Sequence, residues 1–421
     1  MWRNLSLVAF VAMMSLIGMS AAEAQSPESD TADTMTELPP APAFVVPDVA
    51  QMTLESANVD NRHLTFKPGL AALFDYTWFD QDAASQAQVG TQEDQFEVRS
   101  FRLIGRGELK FLNSWNYMLS AEYKGFDNDP DGEDWQISDA WVQFNAGSTR
   151  IRIGKQKQPF VYEMVGDAAN LPQNERLLSP FFVSRSLGVS WSGGFSRRAT
   201  WSVGWFNDAP VSGESFSDNG SDVAARVTAL PILEDDGARY LHLAASARYY
   251  AGDKNNLRFK GRPESNVADN FVDTGNIPGD HAWLMGLEAL WADHYYSVLA
   301  EYVHAWVRSA PTDNPQFNGY YITASFVPNG LPRPYDTKAA YARRVPVTEA
   351  WGSLEFVLRY GHLDLDDAQV RGGTLDKWFA GINWWATKRW KASIGYGDAD
   401  LDRFDVTGNT RILLTRIQWI Y

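Results

Sequence analysis

Cysteine is absent from the 421 residues, which excludes disulfides, thiolate metal centres and thiol nucleophiles. Histidine is scarce: His63, His242, His281, His294, His304 and His362 are the six, and no two stand at a zinc-ligand spacing. Past residue 24 no run approaches the ~18 apolar residues of a membrane helix. Basic residues number 37 against 52 acidic, a formal net charge of −15, which argues against nucleic acid as a partner. If this chain enters a membrane, it enters as strands.

Aromatic residues, by contrast, are plentiful at 14%, with 17 Trp and 17 Tyr. Such side chains collect where an apolar band meets water, because one end of the ring system is apolar and the other can hydrogen-bond. Residues 1–24 read as a secretory signal peptide: Arg3 supplies the positive start, Leu5 to Met19 the apolar run, and Ala22-Glu23-Ala24 a small-x-small cleavage site. Residues 25–62, rich in proline and acid without periodicity, predict a flexible N-terminal segment. From residue 63 to 421 the expectation is one transmembrane domain.

That domain alternates with a period of two. Trp115, Tyr117, Leu119, Ala121 and Tyr123 form one face, and Asn116, Ser120, Glu122 and Lys124 the other. Trp283, Met285, Leu287, Ala289 and Trp291 repeat the pattern, as do Trp390, Ala392, Ile394 and Tyr396. Aromatics bracketing aliphatic or small residues describe an outward face that crosses a bilayer between two girdles. Breaks are short after Leu112, Ala146 and Trp385, and longer near 80–95, 127–134, 156–184, 207–221, 251–281, 307–317, 363–373 and 398–409. The segment 327–349 is long where a short turn is due. The fold class is therefore all-β, a transmembrane antiparallel β-barrel of about 16 strands, whose size leaves an aqueous channel.

The run Arg150-Ile-Arg-Ile-Gly-Lys-Gln-Lys-Gln-Pro-Phe160, then Asn174-Glu-Arg176, Phe181 and Arg185-Ser-Leu-Gly188, resembles the phosphate-selective porins of the O and P type. Ala350 to Tyr360, Leu363-Asp364 and Gly381-Ile-Asn-Trp384 continue the likeness. It spans roughly Phe66 to Tyr421. The resemblance implies an outer-membrane homotrimer in a Gram-negative cell, embedded among lipid and lipopolysaccharide, with the third long loop folded inward as a constriction. Some members of that family take phosphate. No phosphate site is carried over, because its basic positions do not match one by one.

Taking the face opposite the apolar one, the basic pore-lining candidates are Arg102, Arg106, Lys110, Lys124, Arg150, Arg152, Arg226, Arg248, Arg359, Lys377, Lys391 and Arg416. The acidic ones are fewer: Glu108, Glu122, Asp139, Glu288, Glu301 and Glu355. Excess acid falls instead at 127–134, 364–367 and 398–405, read as external loops. A positive wall in a low-dielectric channel favours small anionic solutes such as phosphate. A general diffusion pore, in which those charges merely cross-pair, is the alternative. The stretch 156–184 carries Pro159, Phe160, Tyr162, Met164 and the Phe181-Phe182 pair, too apolar for a loop in water. It should pack on the inner wall, with Lys155, Lys157, Glu175 and Arg176 bordering the narrowest point.

Three further signals are weaker. Asp127 to Gly132 opens like a calcium loop but has Ser138 where the closing acid belongs, so no metal or cofactor is assigned. A hydrolase would need a nucleophile beside His304 or His362, and none is evident; an adhesin or receptor rests only on acidic loops. The final strand, Thr410 to Tyr421, pairs with the first, near Phe66 to Phe79, its odd residues toward lipid and its even residues toward the pore. In barrels that this chain resembles, an aromatic carboxyl terminus such as Trp419 with Tyr421 is read by the outer-membrane assembly machinery.

Overall fold

The computed structural model describes residues 57–112, 114–125, 135–207, 220–234, 237–252 and 256–421. The expected signal peptide, most of the N-terminal segment and the acidic stretch Asp127 to Gly132 lie outside the described residues. Period-two alternation becomes sixteen long strands. The first eight are β1 (Leu64–Gln81), β2 (Gln95–Leu109), β3 (Trp115–Tyr123), β4 (Trp135–Ala146), β5 (Thr149–Gln156), β6 (Ser186–Ser196), β7 (Ala199–Asn207) and β8 (Ser221–Leu233). The second eight are β9 (Arg239–Ala251), β10 (His281–Asp293), β11 (Tyr296–Arg308), β12 (Gln316–Phe326), β13 (Ser353–Asp367), β14 (Val370–Trp385), β15 (Trp390–Arg403) and β16 (Val406–Ile420).

Each strand pairs antiparallel with its neighbours in sequence, and β1 pairs with β16 from Ala71↔Ile420 to Gln81↔Thr410. Closure leaves no open edge along the described strands, as a hydrocarbon surrounding demands. Tyr421 continues the seam, its backbone exchanging hydrogen bonds with Leu70. The outward faces carry the predicted apolar set: Trp283 and Ile417 are more than half exposed, whereas Arg416 and Gln418, one residue away, are buried. Among the described residues no helix is long and apolar enough to cross a membrane.

Several boundaries differ from expectation. Residues 363–373 and 398–409 are not long loops. There β13 runs to Asp367 and β14 starts at Val370, while β15 and β16 are joined by Phe404 and Asp405, both at positive φ. The reason is a reversal of polarity near this rim. Leu363, Leu365, Leu375 and Leu401 are fully buried with Phe259 and Val272 of the 252–280 connection, so the acids stand between buried apolar residues within strands. The barrel also begins before residue 63, since Val59 and Asp60 pair with Phe66 and Thr65 around a turn whose Asn61 side chain accepts from His63 N and Leu64 N.

The long segment between β12 and β13, residues 327–352, enters the barrel. Its Tyr335–Asp336 and Tyr341–Ala342 pair as a small hairpin, and Tyr341 and Ala342 join the same buried cluster as Phe160, Met164 and Phe181. Residues 157–185, 252–280 and 327–352 together supply much of this core, which packs on the inner faces of β8 to β15 through Tyr240, Leu284, Val303, Phe317 and Tyr321. The interior on the side of β8 to β15 is thus an apolar core.

Candidate functional site

Beside this core lies a cavity of about 800 Å³, bounded by β1 to β7, Arg226 of β8 and Arg416 of β16 on the wall and by 157–185 and 327–352 opposite. Its wall carries Arg102 and Arg106 on β2, Lys124 just past β3, and Arg150 and Arg152 on β5. Lys157, Arg176 and Arg185 face it from the 157–185 side, and Lys338 and Arg344 from 327–352. Carboxylates reach it at Glu122, Asp139, Asp167 and Glu175.

Residues 157–185 are held to the opposite wall by their own main chain. The carbonyls of Ala169, Leu171, Pro172 and Asn174 accept from Gln418 (3.0 Å), Lys391 (3.1 Å), Asn383 (2.7 Å) and Arg416 (2.7 Å). Inward side chains of β14, β15 and β16 thereby satisfy carbonyls that would otherwise be buried unpaired. Two acids complete the attachment. Glu163 accepts from Arg359 (2.6 Å), from Gln173 and from the Leu178 N–H. Glu301 accepts from the N–H groups of Tyr162 and Glu163 and from the Tyr321 hydroxyl.

The twelve basic positions divide into three groups. Arg102, Arg106, Lys124, Arg150 and Arg152 face the cavity. Arg226, Arg248, Arg359, Lys377, Lys391 and Arg416 are buried among partners, Arg226 and Arg416 at the cavity's edge: Arg226 with Glu288, Arg248 with Asp222, Arg359 with Glu163 and Glu264, Lys377 with Glu264, and Arg416 with Asp75 and Glu175. Lys391 donates instead to the Leu171 carbonyl. Lys110 lies off the wall, in a short 3-10 turn beyond β2, where it pairs with Asp60 at 2.5 Å. The strand ends at Leu109, so its period of two does not extend to Lys110.

Of the four positions expected at the narrowest point, Lys157, Glu175 and Arg176 border the cavity, whereas Lys155 stands near the end of β5 beside Arg185 and Asp139. Burial pushes the Lys157 ammonium down to about 8, against the opposing pull of Asp167 at 3.0 Å. Burial by itself would raise the Glu175 carboxyl, but Arg99 and Arg416 hold it down at about 2. Arg176 gives its Nε hydrogen to the Glu163 carbonyl.

Periodicity missed Arg99, Arg185, Arg343 and Arg344. Arg99 faces inward because the β1–β2 register shifts between Leu73 and Asp75, a bulge that reverses the phase of β2 above Ser100. The others lie in connections, where no period exists. His304 bonds Tyr302 and Gln316, and His362 bonds Asp376; among the described residues neither has a serine or threonine hydroxyl as partner. Among the described residues no cluster of His, Asp and Glu could hold a metal ion.

The sequence model of phosphate-selective porin O and P matches residues 71–421. A protein of Caulobacter vibrioides, described as uncharacterized, is 26% identical over 324 residues. That alignment covers 72% of this chain, and the chain spans 62% of the relative's length. The outer membrane channel DcaP of Acinetobacter baumannii superposes with a TM-score of 0.55 at 11% identity, covering 86% of this chain and 99% of that one. An anion-selective porin from Comamonas acidovorans gives 0.54 at 12% identity, covering 85% and 100%. The trimer form of OmpT, an outer membrane protein of Vibrio cholerae, gives 0.53 at 9%, again covering 85% and 100%. At such identities the likeness is one of fold.

Proposed function

Because the chain belongs to the phosphate-selective porin O and P family, we propose that it is an outer-membrane channel through which small hydrophilic solutes diffuse, with a preference for anions. The observation that carries the preference is the cavity wall. Arg106, Arg150 and Arg152 line it, and among the described residues none of their guanidinium groups is bonded to a carboxylate. A guanidinium stays charged at any physiological pH, and a low-dielectric wall focuses its field along the passage. A chain with 15 excess negative charges thus presents a positive route. Phosphate and carboxylate solutes suit such groups because two oxygens can be bound at once.

A specific observation favours the second reading, a general diffusion pore: Arg99, Arg102 and Arg185 are matched by Glu175, Glu122 and Asp139 at 2.6 to 2.9 Å. Zero-current potentials across a planar bilayer under a salt gradient separate the two. Anion preference supports the first reading, and no preference supports the second.

Residues 157–185 are proposed as the constriction, since they are tied to inward side chains of β14 to β16 and border the cavity. A homotrimer is proposed from the trimeric form of a fold neighbour; cross-linking in detergent tests it. The exposed apolar faces would meet lipid and lipopolysaccharide, and Trp419 with Tyr421 the assembly machinery.

A further inference from the structure

The connections on the side of the C-terminus are 2 to 5 residues long, except for residues 327–352 between β12 and β13. The excess length is not spent in the periplasm. Arg333 donates twice to Glu355 (2.8 and 2.6 Å) and again to the Asn170 carbonyl, while its own carbonyl accepts from the Tyr240 hydroxyl at 2.7 Å. The Tyr335 hydroxyl bonds His242 at 2.7 Å, and the Ala340 carbonyl accepts from Arg226 at 2.9 Å. The Ala342 N–H donates to the Tyr162 hydroxyl at 2.8 Å, joining this insert directly to the 157–185 segment. So anchored, Lys338, Tyr341 and Arg344 present themselves to the cavity.

Charge distinguishes this level of the passage. Arg99, Arg102 and Arg185 each hold a carboxylate. Arg344 instead donates to the Lys388 carbonyl (2.7 Å) and Asn170 Oδ1 (3.3 Å), and Arg150 approaches the Lys338 carbonyl at 3.4 Å. Arg106 and Arg343 are close enough to Arg344 to act on it electrostatically. Two acids lie among them, and each is engaged: Asp167 by Lys157, and Asp336 by Arg343. Carbonyl and amide oxygens satisfy N–H groups without cancelling charge, so among the described residues Arg106, Arg150 and Arg344 keep guanidinium groups to which no carboxylate is bonded.

We infer that the insert 327–352 forms a second filter in series with 157–185, in which Arg344, near Arg106 and lining the same cavity as Arg150, sets anion preference at the periplasmic mouth. This rests on the channel reading above. An oxyanion leaving the constriction meets donors from two wall strands and the insert before reaching the periplasm.

The test uses the full-length protein in planar bilayers, comparing wild type, Arg344→Glu and Arg344→Lys. Heat-dependent mobility in SDS gels confirms that each variant is folded. Reversing the charge changes it by two units, which for an ion passing ~8 Å away alters the permeability ratio about two- to fivefold, the lower figure at high salt. Arg344→Glu is expected to lower the anion-to-cation ratio by that amount and Arg344→Lys to preserve it. A wild type without anion preference, in which Arg344→Glu still shifts the ratio and Arg344→Lys does not, removes the anion reading but keeps the filter. An anion-preferring wild type whose ratio is the same in Arg344→Glu overturns the inference, as does an equal shift in both variants.

Discussion

Replacing Arg416 by methionine should release two parts of the molecule at once. Arg416 sits on the closing strand with 1% of its side chain exposed, and donates twice to Asp75 on β1, at 2.7 and 2.6 Å. It donates further to Glu175 (2.7 Å) and to the Asn174 carbonyl (2.7 Å), both in the 157–185 segment. One side chain therefore pins the barrel seam and the proposed constriction together. Methionine fills much of the volume but leaves Asp75, 2% exposed, without its partner.

Removing one member of a buried ion pair costs about 3–5 kcal/mol, because the remaining charge has lost its water and gained nothing. At about 1.4 kcal/mol per decade this lowers the folding equilibrium by roughly two to four orders of magnitude. Glu175 keeps Arg99, at 2.6 Å, which places the expected loss toward the lower end. The assay is urea unfolding of the refolded protein in detergent, followed by tryptophan fluorescence. Adding Asp75→Leu to Arg416→Met should recover most of the loss, since exchanging a whole buried pair for apolar groups is often neutral. A single variant as stable as wild type, or a double variant no better than the single, refutes the reasoning.

Other outcomes follow from the same contacts. Lys157, with an ammonium held at about 8 rather than in the usual lysine range, loses its charge as the pH rises from 7 to 9, so anion preference should fall across that window and stay flat in Lys157→Met. The sign for stability is opposite: between about 8 and 10.4 the unfolded chain binds the extra proton, so stability rises with pH there. Glu163→Ala strips Arg359 of one of two carboxylates and the Leu178 N–H of its acceptor; unitary conductance should become larger and noisier, and an unchanged trace would count against the attachment. Deleting residues 165–175 should raise conductance outright, with no change placing the narrowest point elsewhere. Removing Trp419 to Tyr421 should leave the protein unassembled, scored by loss of the heat-modifiable form in outer membranes.

The strands were legible because a lipid-facing side chain must be apolar and its neighbour need not be, a constraint written at every second residue. That is why β16 could be oriented, with Arg416 inward, before its partners were known. Its partners were not legible. Asp75 and Glu175 stand 341 and 241 residues away, and only closure of the seam and the path of 157–185 bring them together. Arg99 was hidden by a bulge, which shifts the phase that the reading depends on. The acids at 364–367 and 398–405 suggested loops because acid usually marks solvent, whereas here leucines between them pack inward on Phe259 and Val272.

The same limit explains why the insert could be noticed yet not understood. In the sequence, residues 327–349 are conspicuous by length alone, with Pro332, Pro334 and the Arg343-Arg344 pair in no periodic frame. Their position is decided by partners on β8, β9 and β13: Arg226 and Glu355, which the alternation marks as inward, and Tyr240 and His242, which it does not single out. In a simple water-filled barrel those side chains would face solvent. Buried as they are, with Glu355 fully inaccessible, they require a covering element of complementary charge and shape. Arginine 333 and the carbonyl of Ala340 supply it. The over-long turn and the buried polar wall are thus two halves of one interface, and the route left to a solute is what that interface does not fill.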